Sequence, residues 1–87
     1  MSPELETLDQ LAGGDLSLTI VRKFYPEAQE FIAGVLGLLS CGDVRLLAKD
    51  GSEVPRWQWR HLFVTDTPPQ EWDGMKLTLT KQGARKV

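Results

Sequence analysis

The side chains with most to offer by contact lie in one short run, Arg56-Trp57-Gln58-Trp59-Arg60-His61. Indole rings stack on bases and on guanidinium planes, and guanidinium groups pair with phosphates or carboxylates. Tryptophan and arginine are also the residues that carry most of the energy at protein interfaces. Three readings of the run stay open. It is a strand whose tryptophans complete a small core while the arginines stay wet, a surface for a protein partner, or a contact for nucleic acid.

Covalent and metal chemistry find little support. His61 is the single histidine and Cys41 the single cysteine, so a zinc site or a facial triad lacks ligands, and no metal or cofactor is expected. Glu27 and Glu30 stand a helical step apart, but negative charge is favoured in the first turn of a helix whatever its function. Ser17, Ser40 and Ser52 have no nucleophile-elbow context, and Gly13-Gly14 lacks the spacing and the lysine of a phosphate loop. The expectation is a protein that is not an enzyme. A formal net charge of −2 is too near neutral to announce a polyanion partner.

The elements that would position the run are built around Pro26 to Leu47. Ala28, Phe31, Ile32, Val35, Leu38 and Leu39 recur at helical spacing, and Leu36 widens the stripe, so the helix is covered on more than one side. Pro26 suits its first position. Gly42 suits the left-handed residue just past its end, and Val44 and Leu46 then alternate with Arg45 as a strand does. Gly34 and Gly37, poor residues for a helix interior, point to close packing. Cys41 at the end of so apolar a helix reads as a buried structural thiol.

Before this helix, Pro3 to Ala12 reads as an amphipathic helix capped by Ser2, with Leu5, Leu8, Leu11 and Ala12 on its inner stripe and Glu4 and Glu6 in its first turn. Asp15 to Tyr25 fits a short helix or an extended strand, and the Tyr25-Pro26 corner favours the helix. After the central helix, Asp50-Gly51 is a hairpin signal that pairs Leu47 with Val54 and Val44 with Trp57. That register sets Trp57 and Trp59 on the core face and Arg45 beside Arg56 on the other, an unfavourable like-charge pair. Pro55 makes this second strand irregular or an edge. Thr65 to Gly74 is a loop in which Trp72 folds back as a lid over the helix–sheet junction or joins an exposed surface. Met75 to Thr80 alternates strictly as a strand, and the basic tail Lys81 to Val87 frays.

Two short helices, an apolar third helix, Leu38-Leu39-Ser40-Cys41-Gly42-Asp43-Val44, and a late strand ending in Leu79-Thr80 with Gly83 beyond it together resemble the winged-helix pattern. The resemblance covers most of the chain and implies an α+β fold of three helices and a small antiparallel sheet, here Val44–Leu47, Val54–Trp59 and Met75–Thr80, as one domain over residues 1–87. Many winged-helix proteins that bind DNA lay the third helix in the major groove. Here Pro26 to Cys41 holds no lysine or arginine, and phosphate contact depends on cations. Relatives of the fold that do not bind DNA use it for protein contacts, and the resemblance implies that role. The leading expectation is therefore an interaction module that binds a protein partner, or a second copy, through Arg45, Arg56, Trp57, Trp59 and Arg60. A DNA-binding regulator using the same cations and those of the tail is the disfavoured alternative. No secretory pattern and no apolar run of bilayer length occur, so the expectation is a cytoplasmic protein with no membrane partner.

Overall fold

The computed structural model describes residues 2–63, 72 and 74–86. Its first helix, α1 (Pro3–Leu11), begins where Ser2 Oγ accepts the Leu5 N–H at 3.2 Å. Leu8 and Leu11 face inward, but Leu5 is 48% exposed. The inward place between the leucine turns is taken instead by Thr7, buried because its hydroxyl donates to Pro3 O at 2.7 Å. The next segment resolves the helix–strand ambiguity by being both. Leu16–Ser17 forms β1, and Ser17 then caps α2 (Leu18–Arg22).

The central helix, α3 (Ala28–Ser40), starts two residues later than Pro26, with Glu27 as its N-cap. Phe31, Val35, Leu38 and Leu39 are buried along its inner face. The helix ends in a Schellman turn, with Asp43 N–H donating to Leu38 O and Gly42 N–H to Leu39 O, and Gly42 holds φ +84°. Cys41, the last residue before that glycine, is exposed rather than buried. Its thiol points back to Leu38 O at 3.6 Å at the open end of the helix.

The chain then enters β2 (Val44–Leu47), and the late strand β3 (Lys76–Leu79) pairs antiparallel with it in the register Val44↔Leu79 and Leu46↔Leu77. On its other edge β3 pairs with β1 through Leu16↔Leu77, so the sheet order is β1-β3-β2. The expected strand Val54–Trp59 does not form. The turn at Asp50-Gly51 is present, but it yields one bridge, Leu47↔Glu53, one residue out of the expected register. Pro55 then ends the pairing, because it has no N–H to give. It accepts the Gln58 N–H at 3.0 Å and starts a 3-10 turn (Arg56–Gln58) that runs into the short helix α4 (Trp59–Leu62). The loop expected over Thr65 to Gly74 lies, at residues 65–71 and 73, outside the described residues. Trp72 is buried, its ring 5.0 Å from that of Phe31 and its indole N–H bonded to Leu62 O at 2.8 Å.

The tail is not frayed. Thr80 Oγ1 accepts the Gly83 N–H at 3.1 Å and caps α5 (Lys81–Ala84). Among the described residues the fold is thus α+β, with five helices, a 3-10 turn and a three-stranded antiparallel sheet around one cluster of buried apolar side chains.

The two glycines inside α3 differ in kind. A Cβ at Gly34 would lie 2.6 Å from the Tyr25 hydroxyl and 2.9 Å from Glu4 Oε1, whereas one at Gly37 meets nothing within 4 Å. Gly34→Ala is therefore expected to destabilise the fold by about 1–3 kcal/mol through overpacking. Gly37→Ala is expected to stabilise it by about 0.5–1 kcal/mol through helix propensity. Urea unfolding of the two variants measures both signs.

Candidate functional site

The helical conformation of residues 56–62 decides where the candidate side chains go. In a strand Trp57 and Trp59 would share a face. In a helical turn, successive residues step by roughly 100°, so the two indoles part company. Trp57 is 66% exposed. Trp59 is half-buried against the core, with its indole N–H directed to Val54 O at 3.3 Å. The Arg56 guanidinium lies 5.8 Å from the centre of the Trp59 ring, which holds Arg56 near the surface by cation–π attraction. The expectation of both tryptophans on the core face fails because Pro55 converts strand to helix.

These residues line an open groove of about 910 Å³ whose walls are Leu36, Arg56, Trp57, Trp59, Arg60 and His61. Leu36, half-buried on α3, supplies the apolar floor. The sequence signal for Leu36 was its place off the main stripe of α3, which marks a second covered side. Beside this groove, and sharing Trp59 with it, runs another of about 760 Å³ over β2, β3 and the start of α5. Arg45 lies in that second groove, where it pairs with Glu53 at 3.5 Å. The anticipated Arg45–Arg56 clash is absent, since Glu53 rather than Arg56 stands at the end of the bridge. The structure thus brings Arg56, Trp57, Trp59 and Arg60 together along one groove and places Arg45 in the neighbouring one, which it shares with Trp59. Among the described residues no carboxylate forms an ion pair with Arg56 or Arg60.

The accessible row of α3 is Gln29, Glu30, Ala33, Gly37 and Ser40, all exposed and none cationic. One flank of the helix does acquire positive charge from outside itself, because Arg56 and Arg60 stand beside Leu36. Among the described residues no three His, Cys, Asp or Glu side chains converge as metal ligands. No helix there is long and apolar enough to cross a membrane.

The strongest electrostatic feature lies at the far end of the second groove and is structural. Asp43, 2% exposed, receives the Lys86 ammonium at 2.8 Å and the Gln82 amide at 3.1 Å. Its backbone oxygen accepts the Thr80 N–H at 3.0 Å. The Gln82 amide also reaches Cys41 O. Burial alone would raise the Asp43 pKa, but the hydrogen bond and attraction of Lys86, with the Cys41 thiol and the Gln82 amide beside it, hold it below the usual value. Among the described residues the buried Tyr25 hydroxyl has no hydrogen-bond partner of good geometry. Burial raises its pKa and the Glu4 carboxylate adds to the rise, against the lowering influence of the Thr7 hydroxyl.

No protein-family model, curated protein or solved structure gives a significant match to this chain. The chemistry of the groove therefore rests on its own geometry. An apolar floor, one projecting indole and two guanidiniums suit non-covalent binding of a surface that carries apolar and acidic groups together.

Trp57→Ala should leave stability within about 0.5 kcal/mol, as expected of an exposed position. Trp59→Ala should cost about 2 kcal/mol, roughly half the value for a fully buried aromatic. Chemical denaturation distinguishes the exposed indole from the one that supports the core. For Asp43, a folded-state pKa below the unfolded one means a stabilising contribution that is present above about pH 4 and lost as pH falls through the folded value. Wild type should lose stability on acidification below about pH 4 more steeply than Asp43→Asn, measured as melting temperature against pH.

Proposed function

We propose that this chain is a non-catalytic interaction module of winged-helix type that holds a protein partner in the groove between α3 and residues 56–61. The observation that carries the reading is Trp57, a large indole 66% exposed on a rim it shares with Arg56 and Arg60 above the Leu36 floor. Exposing an indole beside guanidiniums that form no ion pair among the described residues brings the fold itself no burial, whereas such residues at the centre of an interface contribute most of its energy.

The winged-helix reading is supported by the element order α1, β1, α2, α3, β2, β3 with β3 between the other two strands. A 3-10 turn and α4 within the long segment between β2 and β3, where a further strand is expected, are this chain's departure from that pattern. A solvent-facing, unpaired thiol at Cys41 supports a reducing compartment such as the cytoplasm.

One observation favours the second reading, a DNA-binding regulator: Arg56 and Arg60 stand beside α3. Against it, the exposed row of α3 carries Glu30 and no cation, and nonspecific affinity for duplex depends on several phosphate contacts.

The test compares proteins co-purifying with wild type and with Trp57→Ala, Arg56→Ser and Arg60→Ser variants of unchanged melting temperature. The expected result is a partner retained by wild type and reduced at least about tenfold by each variant, the loss of one mid-sized interface contact. Equal recovery of every protein by all four chains removes the reading. Duplex DNA binding that falls steeply with salt and needs Arg56 and Arg60 would install the second reading in its place.

A further inference from the structure

The groove has a counterpart on the same molecule. Leu5 is 48% exposed on the outer face of α1, with Glu6 next to it and Asp9 one turn further on. Among the described residues none of Glu6, Asp9, Arg56 and Arg60 takes part in an ion pair. The first cationic side chain is Arg22, so the residues of α1 itself set an apolar side chain beside acidic ones and no basic one. The groove presents an apolar floor and a projecting indole in a basic one.

The two surfaces cannot meet within one chain. α1 packs on α3 where Glu4 Oε1 and the Tyr25 hydroxyl lie over Gly34. The groove opens on α3 at Leu36. Two residues along a helix turn the direction by about 200°, so α1 and the groove occupy opposite flanks of α3.

We propose that the outer face of α1 of one copy docks in the Leu36–Trp57 groove of a second copy, with Leu5 against the indoles and Glu6 and Asp9 facing Arg56 and Arg60. The mode is a helix laid in a groove, steered by complementary charge. The contact joins two different surfaces, so it is head-to-tail and adds copies until a ring closes or the chain of copies ends. This proposal rests on the reading of the groove as the binding site and names its occupant.

Sedimentation over a concentration series tests it with three samples: wild type, Leu5→Lys and Trp57→Ala, the last two at exposed positions that leave the core intact. Wild type should show a mass that rises with concentration past the dimer and falls back as salt is raised. Each variant alone should stay monomeric, since one lacks the knob and the other the groove. Mixed in equal amounts, the two variants should form a dimer and stop there, because only one working knob and one working groove remain. A wild-type chain monomeric up to about 1 mM, the weak limit of specific association, overturns the proposal. So does an assembly that survives either substitution, or a mixture that stays monomeric. If wild type is monomeric while Trp57→Ala still loses a captured protein, the groove stands and its occupant is a different, acidic protein. If wild type associates in a way that ignores Trp57, the groove reading falls with the proposal.

Discussion

The turn at Gly42-Asp43 is the constraint on which the described structure depends. It closes α3 with two backbone hydrogen bonds from consecutive N–H groups and releases the chain directly into β2. It also receives the other end of the sheet, since Thr80 bonds to both its carbonyls, and Lys86 and Gln82 converge on the Asp43 carboxylate. Gly83 belongs to the same contact, because a Cβ there would lie 2.1 Å from Asp43 O. Helix, strand and tail are thus tied at one point by groups nearly forty residues apart in sequence. A buried carboxylate is unfavourable unless it is paired and hydrogen-bonded, and here the pairing is supplied by the tail.

With that point fixed, β3 becomes the central strand and Leu77, fully buried, packs beneath both of its neighbours. The stretch of residues 54–63, after β2, is then free of any duty to complete the sheet. Pro55 turns it into helix, and the helix leans on α3 through Trp59 while leaving Trp57 outside. Division of labour between the two indoles follows from that single change of backbone. One is held by a hydrogen bond, a stacked guanidinium and core contact. The other has room for a partner.

Much of this was legible from periodicity and punctuation. The α3 stripe, the glycine that stops it, the alternation of β2 and β3 and the Ser2 cap are local signals, and local signals survive into the fold. What could not be read was non-local. Nothing near Asp43 in sequence announces Lys86, so the tail looked free. Leu5 matched the α1 stripe, yet a helix that rests on one side of α3 buries only its narrowest face, and Thr7 took the inner place. Cys41 looked buried because its neighbours are apolar, yet it stands past the last turn of α3, where it is exposed. The candidate site was half legible. Residue types picked out Arg56, Trp57, Trp59 and Arg60, but the strand assumed for them put the tryptophans on one face and gave Arg45 a place among them. Leu36, the floor of the groove, carried only the faint signal of lying off the main stripe.

The central claim is that residues 56–62 form a helical turn that shelters Trp59 and presents Trp57. The indole N–H signals of Trp57, Trp59 and Trp72 in a proton–nitrogen NMR spectrum, followed as a soluble paramagnetic agent is added, test it most directly. Rapid broadening of Trp57, partial broadening of Trp59 and a protected Trp72, whose N–H is bonded to Leu62 O, are expected. A Trp57 signal as well protected as that of Trp72 would contradict it.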